Sequence, residues 1–74
     1  MNRTITVLNG QTLFDIAIQH CGDVVATFEI ADINDVSLTD RLIAGQSLTV
    51  PQPYNRAIVD FYNKNKIIPA TEEA

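Results

Sequence analysis

Two short segments of the chain alternate polar with apolar residues, which is the pattern of a half-buried β-strand. They cover residues 4–7 and 47–50, with the apolar residues at the second and fourth positions of each, and Pro51 ends the second. Two such strands predict a small antiparallel pair. Because a pair of strands alone is marginally stable, it needs a layer of helices on one face.

The first stretch between the strands has the signals of a short helix over about residues 13–20. Thr12 and Asp15 resemble a capping box, with Asp in place of the usual Glu, and Gly22 suits the left-handed residue that ends a helix. The apolar residues of this helix, Phe14 among them, spread over a wide arc. This predicts a helix that is mostly buried.

A second helix is predicted over about residues 24–33, with Asp23 as its N-cap. Its apolar residues form two stripes at helical spacing: Val24, Phe28 and Ala31 in one, and Ala26, Ile30 and Ile33 in the other. The polar residues that follow, up to Asp40, predict a loop that returns to the second strand. The order strand, helix, helix, strand predicts an α+β domain over residues 1–51, in which two helices cover a two-stranded antiparallel sheet.

The remaining residues, 52–74, have the pattern of a C-terminal extension made of an amphipathic helix and a tail. Asn55 can cap this helix, Lys64 and Lys66 suit the negative end of its dipole, and residues 71–74 predict a frayed tail. The apolar face has five members: Tyr54, Ala57, Ile58, Phe61 and Tyr62. Two interpretations stay open. The helix either covers the small core as a lid, or it offers four of these residues to a protein partner: Tyr54, Ile58, Phe61 and Tyr62.

Composition narrows the classes of function. With 74 residues, 46% of them hydrophobic, the chain is a small folded domain rather than a disordered segment. Its single Cys excludes an internal disulfide, and one Cys with one His cannot complete a structural zinc site. With a net charge of −4, the chain lacks the basic surface that a nonspecific nucleic-acid binder needs. The same charge disfavours binding to anionic membranes. The N-terminal residues alternate instead of forming the apolar run of a signal peptide, which predicts synthesis in the cytoplasm without a signal peptide.

Candidate catalytic and metal-binding patterns fail on spacing, so we expect a non-enzyme without a cofactor. A calcium loop that starts at Asp32 fails because Val36 and Ser37 stand where an oxygen ligand and a Gly are required. His20 and Cys21 are adjacent, and adjacent helical residues point about 100° apart, so they do not form a base–nucleophile pair.

The chain contains the blocks GQTLFDIA at residues 10–17, IADIN at residues 30–34 and RLIAGQSLTVP at residues 41–51. Together these blocks resemble the LysM family. The first looks like the family's opening GDTLWxIA, the second resembles the end of its second helix, and the third is similar to its closing IxPGQxLxIP. The blocks stand in the family's order, although Gln11 and Ala44 depart from the usual Asp and Pro.

The resemblance implies a βααβ fold with a shallow groove for glycans that contain N-acetylglucosamine, such as peptidoglycan or chitin. The groove would lie between the first strand–helix turn and the loop after the second helix. By position it implies eight binding residues: Gly10, Gln11, Thr12 and Leu13 on one side, and Ile33, Asn34, Asp35 and Val36 on the other. A helix cap at Thr12 and a helix stop at Asn34 would explain those two residues without a ligand.

The connection between the two helices, Cys21-Gly22-Asp23, looks more like that of LysM-like modules in phage tail and baseplate proteins. The resulting hypothesis is a non-catalytic module of a (pro)phage tail or baseplate, which contacts peptidoglycan and is incorporated in a tail-type particle. Two alternatives remain. One is a stand-alone peptidoglycan- or chitin-binding protein, and the other is a structural adaptor whose groove is not used.

Overall fold

The computed structural model of the protein describes residues 2–70, in which two strands and three helices follow one another. Their bounds are Arg3–Thr6 for β1, Leu13–Cys21 for α1, Ala26–Asn34 for α2, Ser47–Val50 for β2 and Arg56–Lys64 for α3. The predicted α+β class with a two-stranded antiparallel sheet is confirmed. Residues 71–74, predicted as a frayed tail, lie outside the described part of the chain. Within residues 2–70, no helix is both long and apolar enough to cross a membrane.

The two strands pair in a single register, with Ile5 opposite Leu48. Leu48 and Val50 are buried and Ile5 is partly buried, so the predicted inward face is confirmed. β1 begins and ends one residue earlier than predicted. Val7, just past its end, is nevertheless buried, and its N–H donates to the carbonyl of Gln46 at 2.8 Å.

One hydrophobic core joins both strands, α1, α2 and the loop before β2. Its buried members are Val7, Leu13, Ile16, Ala17, Cys21, Ala26, Ile30, Ala31, Leu42, Leu48 and Val50. Each large aliphatic side chain in such a core stabilises the fold by about 1.5–3 kcal/mol relative to an exposed one. Apolar packing is thus the main source of stability in this short chain.

The start and end of α1 are fixed by the predicted local signals. The Thr12 N–H donates to Asp15 Oδ2 at 2.8 Å, and the Asp15 N–H donates to Thr12 Oγ1 at 3.3 Å, which completes a capping box. Gly22 ends the helix at φ +75°, and its N–H donates to the carbonyl of Ile18 at 3.1 Å. Phe14, however, is 47% exposed. The helix is mostly buried, as predicted, but Phe14 lies on the part of its apolar arc that neither the sheet nor the other two helices cover.

α2 begins two residues later than predicted because a turn precedes it. Asp23 Oδ1 accepts from the Val25 N–H at 2.9 Å, and the Asp23 carbonyl accepts from the Ala26 N–H at 3.1 Å. Asp23 therefore caps this turn, whereas the N-cap of the helix itself, Val25, makes no side-chain hydrogen bond. In the first of the two predicted apolar stripes, Val24 and Phe28 are 48% and 63% exposed, whereas Ala31 is buried. The core takes the neighbouring face of α2: Ala26, Thr27, Ile30 and Ala31.

α3 packs on α1, and the segment before it is held at the end of α1. The carbonyl of Cys21 accepts from the N–H groups of Tyr54 and Asn55, both at 2.9 Å. Asn55 caps α3 as predicted, because its side chain accepts from the Ile58 N–H at 3.3 Å. The buried residue of α3 is Val59, at 7% exposure. The buried side of α3 therefore includes Val59, which the predicted apolar face did not, together with the partly buried Ile58 and Tyr62 of that face.

Candidate functional site

The first predicted site segment forms a tight turn between β1 and α1. Gly10 adopts φ +79°, and the Gln11 N–H donates to the carbonyl of Leu8 at 3.2 Å, which closes the turn. The side chains of Gln11 and Leu13 are each only 1% exposed. Thr12 is partly exposed. Among the side chains predicted to bind on this side of a groove, that of Thr12 is thus the one within reach of a ligand.

The second predicted site segment ends α2, and its Asn34 amide is used within the fold. Asn34 Nδ2 donates to the carbonyls of Ile30 and Thr49, both at 2.7 Å, and Asn34 Oδ1 accepts from the Thr49 N–H at 2.9 Å. This amide ties the end of α2 to β2, so both of its protons are already engaged. The other residues of the segment differ in exposure: Ile33 and Val36 are partly buried and Asp35 is exposed.

A groove with a volume of about 310 Å³ opens beside the N-terminus of α1. We call it the Phe14 groove. Its lining comes from the start of α1 and from the loop before β2: Thr12, Phe14, Leu38, Thr39, Asp40 and Arg41. The ring of Phe14 supplies an apolar wall, while hydroxyl, carboxylate and guanidinium groups supply both donors and acceptors of hydrogen bonds. The groove can therefore present an apolar surface and polar partners to one small polar ligand.

A second groove, of about 480 Å³, lies beside α2. We call it the Phe28 groove, and its lining residues are Phe28, Ala31, Asp32, Asp35, Val36, Ser37 and Leu38. Leu38 lines both grooves, which are therefore neighbours. The structure thus brings Thr12 together with residues 38–41, and it places Asp35 and Val36 in the neighbouring groove.

The sequence prediction did not include Phe14 or residues 38–41 among the site residues. Phe14 was assigned to a buried arc, and the loop was assigned to solvent. One signal was nevertheless present, because a helix as short as α1 cannot bury every residue of so wide an apolar arc. No local signal indicates which loop faces Thr12, since the path of residues 38–41 depends on the packing of the whole domain.

The residues predicted to meet a protein partner differ in their environments. Phe61 is 54% and Tyr54 48% exposed, while Ile58 and Tyr62 are partly buried. The Tyr54 hydroxyl donates to the Glu29 carboxylate, and this hydrogen bond raises the pKa of Tyr54 to about 12. The rings of Phe61 and Tyr62 meet edge to face, with centroids 6.2 Å apart. Tyr54 thus connects the extension to α2, whereas Phe61 presents about half of its surface to solvent.

His20 and Cys21 lie at the end of α1, beside the guanidinium of Arg3. Arg3 Nη2 donates to the carbonyls of His20 and Pro51 at 2.7 and 3.0 Å, which joins β1 to the ends of α1 and β2. Burial lowers the pKa of His20, and the charge of Arg3 lowers it further. Cys21 is fully buried, its thiol donates to the Pro51 carbonyl at 3.7 Å, and burial raises the pKa of the Cys21 thiol. Both groups favour their neutral forms, which suits a packing role better than nucleophilic chemistry.

Within residues 2–70, no three His, Cys, Asp or Glu side chains are placed to hold a metal ion together. Neither a protein-family model nor a curated protein matches this chain. Among residues 2–70, the Phe14 groove and the Phe28 groove are two candidates for ligand contact.

Proposed function

We propose that the protein is a non-catalytic, LysM-like binding module that takes an N-acetylglucosamine-containing glycan, such as peptidoglycan, in the Phe14 groove. The observation that carries this proposal is the half-exposed ring of Phe14 in a groove that also holds Thr12, Thr39 and Asp40. An aromatic ring can cover the apolar face of a sugar or its acetamido methyl group, and hydroxyl and carboxylate oxygens can pair with sugar hydroxyls.

The proposed setting is a (pro)phage tail or baseplate. The support for it is the resemblance of the Cys21-Gly22-Asp23 connection to that of modules in such particles. A tail-associated protein would meet the cell wall when the particle contacts a bacterium. If the genes that surround this one include no tail genes, the setting is refuted while the glycan-binding proposal still stands.

Titration with a chitooligosaccharide, followed by two-dimensional NMR, tests glycan binding directly. We expect shifts at the amides of Thr12 and of residues 38–41, and Phe14→Ala should weaken binding about tenfold or more. Phe61→Ala is the matched control, because Phe61 is a similarly exposed ring on α3 and outside both grooves. Absence of binding at millimolar glycan, or equal losses in the two variants, would refute the assignment of this groove.

A second candidate function is that of a structural adaptor whose Phe14 groove is not used. The exposed apolar side chains of the extension favour it: Phe61, Ile67 and Ile68 are 54%, 40% and 53% exposed. Where tail genes surround this one, co-expression with their products separates the two functions. For an adaptor, Phe61→Ser abolishes co-purification and Phe14→Ala preserves it, and the opposite pattern would exclude the extension as the contact.

A further inference from the structure

The chain turns back after α3. Lys66 adopts φ +55°, its N–H donates to the carbonyl of Asn63 at 3.3 Å, and the Ile67 N–H donates to the carbonyl of Tyr62 at 2.9 Å. These are the two hydrogen bonds of a Schellman motif, here with Lys at the position that Gly usually occupies. The motif directs residues 66–70 toward the start of α1. We call these five residues the C-terminal strap.

The strap meets the buried side chain of Gln11. Gln11 Nε2 donates to the Pro69 carbonyl at 2.9 Å and to Gln19 Oε1 at 2.7 Å, while Gln11 Oε1 accepts from the Leu8 N–H at 2.9 Å. Both protons and the oxygen of this amide are therefore engaged. A carboxylate at this position could replace the acceptor but neither donor. The amide of Gln11 thus joins the strap, α1 and the β1–α1 turn at one buried point.

A second turn of the chain repeats the first without the strap. LNGQ at residues 8–11 and IAGQ at residues 43–46 each place a Gly of positive φ, +79° and +92°, before a Gln. The Gln46 N–H donates to the Ile43 carbonyl at 2.9 Å, and Gln46 Oε1 accepts from the Ile43 N–H at 3.0 Å. Gln11 makes the same two bonds in its own turn. The Gly-Gln sequence therefore closes both turns in the same way, whereas the hydrogen bond to Pro69 is made by Gln11 alone of these two residues.

We propose that Gln11 is a positioning residue that couples the C-terminal strap to the turn carrying Thr12, so that the docked strap fixes the rim of the Phe14 groove. When the strap leaves, a buried N–H of Gln11 loses its acceptor, which is unfavourable. The amide can regain a partner by rotating toward water, and Gln11 Oε1 then releases the Leu8 N–H. The consequence for the groove rests on the proposed function, but the coupling between strap and turn does not.

A double-mutant cycle tests the coupling within the fold. Gln11→Glu keeps the acceptor for Leu8 and loses the donor for Pro69, and deletion of residues 67–74 removes Pro69 itself. We expect either change to speed hydrogen exchange of the Leu8 amide about tenfold, and the combination to speed it no further. Multiplication of the two effects in the combined variant would overturn the proposal.

Gln46→Glu is the matched control, because it makes the same change in the turn without the strap. Deletion of residues 67–74 should leave exchange of the Ile43 amide unchanged, both alone and combined with Gln46→Glu. Equal acceleration at Leu8 and Ile43 would show a general loss of stability and would overturn the coupling. If the deletion variant does not fold, Gln11→Glu in the full chain decides: it should speed exchange at Ile67, and Gln46→Glu should not.

A glycan titration of the same variants tests the link to the groove. We expect deletion of residues 67–74 and Gln11→Glu to weaken chitooligosaccharide binding by about the same factor, near tenfold, and Gln46→Glu to preserve it. If the unaltered protein binds no glycan, the proposed function fails, and the exchange cycle still decides the coupling. Unchanged glycan affinity together with a positive exchange cycle would refute the effect of the strap on the groove.

Discussion

Replacement of Gly22 by Ala should strongly destabilise the protein, because two independent costs meet at this residue. Gly22 has φ +75°, a left-handed conformation that costs other residues about 1–2 kcal/mol. A Cβ at Gly22 would also lie 2.2 Å from the carbonyl oxygen of Asn55, far inside contact distance. The Asn55 backbone must then move, and the Tyr54 and Asn55 N–H groups lose their bonds to the Cys21 carbonyl, each worth about 0.5–1.5 kcal/mol.

Together these costs predict that Gly22→Ala lowers the free energy of unfolding by roughly 2–5 kcal/mol. Small domains are stable by only about 5–15 kcal/mol, so this is a large fraction of the total. Gly45→Ala is the control. Gly45 has φ +92°, but no atom lies within 4 Å of a Cβ placed there. Only the conformational cost applies, and the expected loss is about 1–2 kcal/mol.

Urea denaturation and thermal melting of the two variants measure this difference. In a domain of this size each kcal/mol shifts the melting temperature by about 4–8 °C, so the two variants are readily separated. Hydrogen exchange at Tyr54 and Asn55 should also rise in Gly22→Ala well beyond its rise in Gly45→Ala. Equal losses of stability, without this local difference, would refute the inference that Gly22 is required for the packing of the extension on α1.

Three further predictions concern single side chains. Lys66→Gly should raise the free energy of unfolding by about 1 kcal/mol because it relieves a left-handed Lys. Lys64→Gly, within α3, should lower it by about 1 kcal/mol instead, and urea denaturation of the two variants checks this difference. Asn34→Ala should lower it by about 1–3 kcal/mol because the backbone of Thr49 loses its partners; an unchanged urea midpoint would contradict this. The pKa of His20 is lowered in the fold, so the unfolded chain binds a proton at a higher pH than the folded chain does. The free energy of unfolding therefore decreases as the pH is lowered through about 6.5. His20→Gln should remove that part of the loss in urea titrations between about pH 7.5 and 5.5.

The ends of the helices were predictable because each depends only on near neighbours. The capping box of Thr12 and Asp15, the left-handed Gly22 and the cap at Asn55 all involve residues within four positions of one another. The two strands were predictable for the same reason, since alternation is a local property. Asp23 shows the limit of such signals, because it caps a turn that delays the helix by two residues.

Burial within each helix was less predictable. A wide apolar arc on a helix does not indicate which part of the arc meets the core. That depends on which other elements pack against the helix. Phe14 and Phe28 belong to the predicted apolar surfaces of their helices, yet they are 47% and 63% exposed. Val59 was not expected to be buried and is 7% exposed. In each case tertiary packing selected a face that periodicity alone left open.

The candidate site depends on contacts between distant segments, which sequence patterns do not encode. Thr12 was expected to face residues 33–36, and it lines a groove with residues 38–41 instead. Gln11 was expected to meet a ligand, yet its amide pairs with Pro69, 58 positions away. Nothing in the neighbourhood of Gln11 indicates that pairing.

The bonds between Asn34 and Thr49 also bear on how molecules of this protein behave toward one another. Asn34 satisfies both the N–H and the carbonyl of Thr49, the two groups that a neighbouring strand would use. A single side chain thus imitates a third strand along the outer edge of β2. Unpaired sheet edges invite strands from other molecules and lead to aggregation. The amide of Asn34 closes this edge at its centre, so that β2 is guarded against intermolecular pairing without an additional strand.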